Sequence, residues 1–231
     1  MFYPLLISLV LAPAARADSP VGCRNYAIEP NMLVELEEEA SIGALTDPQK
    51  DCLEKSYKAA KEQTVKNKIS RVLLVNAYAY DTSYWAGLVQ RHLDEVDRSD
   101  PDIAYLYSFY IYNRPEKPDY EAAIYWTEIA LDRKNTWTGE TYVKRVAQLQ
   151  KVRAMAAAKL WQRLAESGDA AKAEEARRKT KTYAREWIES SKSAGLRTDQ
   201  AEALCVSAAS EAACGLLGPV EDTPAPAPAT P

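Results

Sequence analysis

Residues 70–103, SRVLLVNAYAYDTSYWAGLVQRHLDEVDRSDPDI, and residues 104–137, AYLYSFYIYNRPEKPDYEAAIYWTEIALDRKNTW, are two tandem segments of 34 residues that share a helix-hairpin pattern. A fixed period of this size marks stacked supersecondary units. A hairpin that cannot bury its apolar face alone stacks on a neighbour, and such stacks build binding surfaces more often than active sites. Asp100-Pro101 closes the first hairpin. Inside the second, Pro115 and Pro118 forbid a continuous helix, because proline removes an amide donor and restricts the residue before it. Helices are therefore expected over 68–80, 84–96, 102–112 and 120–132.

Working outward, the same grammar continues. Residues 32–42 form a short acidic helix with Leu33, Leu36 and Ala40 apolar, ended by Gly43. Thr46-Asp47-Pro48 is a helix start, a capping side chain followed by proline in the first turn. That helix is expected to run to about Thr64, with Leu53, Tyr57 and Ala60 on one stripe. Gly139 opens a long helix ending near Ser167, and Gly168-Asp169 makes the turn. Residues 170–193 follow, with Ala176, Thr180, Tyr183, Trp187 and Ser191 on one face and Gly195 as the stop. An Ala-rich helix over 198–217 is the last. No segment alternates with period two, so the fold class is all-α.

These segments resemble the tetratricopeptide repeat family. Leu73, Ala77 and Tyr80 stand at its large, small and Tyr positions of the first helix. Val89, Leu93 and Val96 stand at packing positions of the second, and Pro101 at the closing Pro. In the next unit Tyr120, Ala123 and Ala130 match, whereas Ile111, Arg114 and Asn135 depart from the pattern. Residues 36–69 resemble a degenerate earlier unit, and beyond Trp137 the pattern fades. The resemblance implies antiparallel helical hairpins stacked as a short solenoid with extra C-terminal helices. It also implies a concave partner-binding face built from first helices, holding Arg71, Leu74 and Tyr78 from one unit and Tyr105, Ser108, Phe109 and Tyr112 from the next. The alternative is a one-off helical bundle, also all-α.

The chain opens MFYPLLISLVLAPAARADSP. An apolar run followed by Ala15-Arg16-Ala17 reads as a signal peptide over 1–17, although its first four residues carry no base. Gly22-Cys23 resembles a lipobox end, but Arg16 and Asp18 separate it from the apolar run. The mature domain is expected over 18–217, and PAPAPATP within 218–231 reads as a disordered, extended tail. Removal of 1–17 leaves 28 basic and 33 acidic residues, a net charge of −5 that argues against nucleic-acid binding. No later stretch is apolar enough to span a membrane.

Cys23, Cys52, Cys205 and Cys214 are an even set in an exported chain, which points to two disulfides with three possible pairings. Cys205 and Cys214 cannot pair within one straight helix, where nine residues rise about 13 Å. They pair only if the helix breaks near 207–210. Zinc is the rival reading, but the sequence has no Cys-x-x-Cys and a single His.

Catalytic signals are sparse. His92 is the lone His, flanked by acids on a helix, and reads as a packed or surface residue. No HExxH, GxSxG or Walker loop occurs. No catalytic residue, metal ligand or cofactor is assigned. Residues 144–185 carry twelve bases against Glu166, Asp169, Glu174 and Glu175, a region that could touch an anionic envelope polymer or remain a solvated helix face. The expected function is a non-catalytic scaffold or adaptor for other envelope proteins in a bacterial periplasm, as in motility or secretion machinery. The alternatives are a wall-lytic envelope enzyme, whose paired carboxylates would hydrolyse glycan, and a small-ligand-binding protein using the Tyr-rich face.

Overall fold

Thr46 initiates its helix by a reciprocal bond. Gln49 N donates to Thr46 Oγ1 at 3.4 Å, and Thr46 N donates to Gln49 Oε1 at 2.7 Å. This capping box satisfies two amides that the first turn would otherwise leave without acceptors. The computed structural model describes residues 30–80, 82–114 and 117–216. The expected signal peptide, Cys23 and the Pro/Ala-rich tail lie outside the described residues. Nine α-helices and no strand occur among them: α1 Pro30–Ser41, α2 Asp47–Ala59, α3 Gln63–Tyr80, α4 Thr82–Glu95, α5 Pro101–Asn113, α6 Tyr120–Asp132, α7 Gly139–Glu166, α8 Ala170–Ser193 and α9 Asp199–Ala208. Short 3-10 turns, Lys134–Thr136 and Ala212–Cys214, complete the set.

The chain divides between Leu88 and Val89, inside α4, into two compact units. In the first, α1 and α2 both pack on α3. Leu33, Leu36, Leu53, Tyr57, Ile69, Leu73 and Leu74 are buried there. The turn between α1 and α2 is tied down by a buried bond from Leu45 N to Asn76 Oδ1 at 3.1 Å. The helix expected over 46–64 is instead two. At Ala60 the backbone turns extended (φ −65°, ψ 129°), and α3 starts at Gln63.

In the second unit, α5 packs on α6 and on α7, α6 packs on α7, α7 on α8 and α8 on α9. Asp100 starts α5, its Oδ1 accepting from Asp102 N at 3.0 Å and Ile103 N at 3.2 Å. Its Oδ2 lies 3.1 Å from His92 Nε2, and both residues are almost wholly buried. Burying this pair costs desolvation, which the cap and pair geometry offsets. The long α7 and α8 pack together, with Ala154 of α7 and Ala184 of α8 buried in one cluster with Trp187 and Ile188.

The last helix does not run to residue 217. It ends at Ala208, Ala209 leaves helical backbone, and the chain turns back through the 3-10 turn. The break brings Cys205 and Cys214 to a Cα separation of 5.9 Å, where they form a disulfide. Both are buried against Trp187, Ile188 and Ala201. Closing a loop this short restricts the unfolded chain by about 2–3 kcal/mol. Cys52 is buried and also disulfide-bonded.

Candidate functional site

Helix α5 carries the densest aromatic surface of the second unit. Tyr105 sits 5.0 Å from the Phe109 ring and 6.0 Å from that of Trp137, centroid to centroid. The Arg145 guanidinium lies 5.2 Å from the Tyr105 centroid and 5.1 Å from the Trp137 centroid. Arg145 also pairs with Asp102, whose Oδ1 accepts from Trp137 Nε1 at 2.9 Å. Tyr105 Oη donates to Gln148 Oε1. One cation is thus held between two rings and a carboxylate, with its side chain 31% exposed. Such a group keeps a wet edge while losing little further freedom on contact with a partner.

A second stripe of α5 faces differently. Tyr107 stacks on Tyr110 at 6.1 Å and meets Trp126 edge-on at 5.7 Å. Its hydroxyl donates to Gln90 Oε1 at 3.2 Å. Burial pushes the Tyr107 phenol above the usual tyrosine range, and Tyr110 adds to the shift. At the C-terminal end of α5, Tyr112 packs 6.1 Å from Tyr120, over whose ring lies Arg163 at 4.8 Å. Burial raises Tyr112 as well, with Tyr120 contributing. Both α5 stripes therefore pack, and both leave the smaller part of each residue at the surface.

The residues expected to bind a partner divide by unit. In the first, Leu74 is buried within the core and presents no surface. Arg71 is half-buried and donates to Asn67 Oδ1 at 3.2 Å. Tyr78 is 58% exposed beside exposed Val75, and its ring meets buried Trp85 at 5.3 Å. In the second unit, Ser108 is fully buried and its hydroxyl donates to Tyr105 O at 2.7 Å. Tyr105, Phe109 and Tyr112 are half-buried along one side of α5. Sequence reasoning missed Asp102, Trp137, Arg145 and Gln148. The acid after Pro101 was the only local signal among them.

Half of the twelve bases in 144–185 pair with acids of their own or a neighbouring helix, in addition to the Arg145–Asp102 pair. Lys144 pairs with Glu140, Arg153 with Glu186, Lys172 with Asp169, Arg177 with Glu174, and Arg178 and Lys179 with Glu175. Arg153 also stacks on Tyr183 at 4.2 Å, and Lys151 lies over Trp187 at 5.8 Å.

Among the described residues, no group of three His, Cys, Asp or Glu is placed to hold a metal ion, and no helix is long and apolar enough to cross a membrane. His92 is fully enclosed. Two concave regions flank α7. One, of about 680 Å³, lies at the start of α6 against Leu160 and Arg163. The other, of about 390 Å³, lies between α7, α8 and the start of α9. No protein-family model, curated protein or solved structure matches this chain.

Proposed function

We propose that this protein is a non-catalytic scaffold or adaptor, an exported helical-repeat protein of tetratricopeptide type that binds other proteins of a bacterial envelope assembly, such as motility or secretion machinery. The observation that carries this reading is the partly exposed row Tyr105, Phe109 and Tyr112 on α5, with Arg145 held between Tyr105 and Trp137. Tyrosine, tryptophan and arginine dominate interface hot spots because they bury much area per rotatable bond and retain a polar handle. The contacts of α5 with both α6 and α7 support a stacked arrangement, in which each hairpin covers the next.

The test places a photo-crosslinking residue at Phe109 in the full chain, expressed in its own cells, with the same residue at exposed Lys159 as control. The expected result is a discrete crosslinked protein from position 109, absent from position 159 and lost on adding Arg145→Gln. A product pattern common to both positions, or none at 109, overturns the adaptor reading of this face.

A further inference from the structure

Helix α1 carries its charge against its own stability. Its sequence, PNMLVELEEEAS, holds four glutamates and no base. Glu35 stands three and four residues before Glu38 and Glu39, and like charges at those spacings destabilise a helix. Glu38 and Glu39 also lie in its last turn, where the negative end of the dipole disfavours anions. In α2, Lys50 pairs with Asp47 and Lys55 with Asp51, acids of their own helix. The acids of α8 differ, since Glu174 and Glu175 meet Arg177 and Arg178 one turn on. Charge placed against local stability is expected where a function demands it.

Leu33, Leu36 and Ala40 bury one side of α1. The opposite side presents Glu35, Glu38 and, in the turn that follows, Ile42, which is 71% exposed. Helix α3 of the same unit carries a counterpart. Lys68, Arg71, Val75 and Tyr78 lie along one stripe of it, away from buried Leu73 and Ala77. Lys68 is exposed, Arg71 is half-buried, and Val75 is 47% exposed beside Tyr78. One stripe reads acid, acid, aliphatic over residues 35, 38 and 42. The other reads base, base, aliphatic over residues 68, 71 and 75. The spacing is the same, and both stripes extend about 10 Å at the helical rise. Laid parallel, Glu35 meets Lys68, Glu38 meets Arg71, and Ile42 meets Val75 and Tyr78. Within one chain α1 already packs on α3, and its Leu33–Leu36 side is the buried one. The match is therefore open only between two copies.

We propose that the Glu35, Glu38 and Ile42 stripe of one copy docks on the Lys68, Arg71 and Val75 stripe of a second copy, so that the protein associates with itself head to tail. The occupant follows from charge complementarity in register. Two different patches meet, which makes the contact heterologous. Stripes this short bury little area, so the association is weak and sensitive to salt. Both stripes belong to the first unit, and the proposal does not rest on the α5 row.

The experiment follows the protein purified from its own cells by sedimentation equilibrium, over a wide concentration range at low and at high salt. The average mass should rise with concentration, and less so in high salt. Glu35→Lys and Lys68→Glu should each weaken association about fivefold, as reversal of one exposed pair does. Both side chains are exposed, so both variants should keep the parent circular dichroism. An equimolar mixture of the two should recover association, because the reversed charge of one stripe now suits that of the other. Recovery requires both variants to be folded. A mass that stays monomeric throughout overturns the proposal and leaves the α1 stripe to a basic helix of another protein. Association that neither reversal weakens, or that the mixture fails to recover, overturns it as well.

Discussion

The α5–α6 and α7–α8 hairpins solve the same packing problem in opposite ways. Between α5 and α6, aromatic rings fill the space, with Tyr107, Tyr110 and Trp126 in contact. Between α7 and α8, buried alanines such as Ala154 and Ala184 share one packed cluster with Trp187 and Ile188, and small side chains let the long helices approach closely. Trp126 is buried in the α5–α6 gap, whereas Tyr107 and Tyr110 keep part of their rings at the surface. Alanines disappear entirely and leave the outer faces to charged pairs such as Arg177–Glu174 and Arg178–Glu175. The α5–α6 hairpin thus presents partly exposed aromatic rings, and the α8 helix presents charged pairs. The two are linked, because Arg145 and Gln148 of α7 hold Tyr105 of α5, and Tyr183 of α8 bonds Glu128 of α6.

The largest expected effect falls on the aromatic hairpin. Trp126→Ala should cost about 3–5 kcal/mol, since the cavity left by a buried indole adds to the lost transfer energy. Urea unfolding midpoints at constant m-value would measure it. The matching change in the other hairpin is Ala184→Leu, which adds volume where Ala154 and Trp187 already touch. Overpacking there should cost about 1–3 kcal/mol. A neutral Ala184→Leu would break the contrast, because it would mean that the helices are not closely held.

Smaller effects sharpen the comparison at the surface. Arg145→Gln removes a cation shared by two rings and a carboxylate and should cost about 1–2 kcal/mol. Arg178→Gln, which removes an exposed pair within one helix, should stay within about 0.5 kcal/mol. Equal losses from the two would remove the special status of Arg145.

A last effect is confined to alkaline pH. Burial first, and then a hydrogen bond from Tyr183 Oη to Glu128 Oε1 at 2.9 Å, push the Tyr183 phenol up to about 12. The folded chain holds this proton more tightly than the unfolded one, whose tyrosine titrates near about 10. The resulting stability is complete below about pH 10 and drains away as pH rises through about 12. Tyr183→Phe should flatten that alkaline decline and remove one late step from the tyrosinate absorbance titration. An unchanged alkaline slope would exclude Tyr183 as its source.

Much of the helical framework was legible in local sequence. Thr46 caps α2 as its motif marks, and α6 and α8 span the residues expected of them, Tyr120–Asp132 and Ala170–Ser193. These signals are legible because a cap acts within one turn. The break at Ala60 was not legible. No glycine or proline stands there, and Lys61 and Glu62 are good helix formers. Burial of Leu74 and Ser108 was also hidden. A family position implies a face, but the packing of α3 and α5 decides how much of that face is covered.

The sequence by itself determined an all-helical chain, most helix starts and the condition under which Cys205 and Cys214 pair, namely a break after residue 207. Capping, proline geometry and apolar periodicity act over a few residues, so they can be read without knowing what lies opposite. Only the tertiary structure decided that the break occurs at Ala209. It alone selected Cys214 for Cys205 among three possible pairings, and brought Asp102, Trp137 and Arg145 around Tyr105. Those partners lie up to 43 residues apart. Contacts at that separation form only when whole helices dock, and docking depends on every side chain at the interface together.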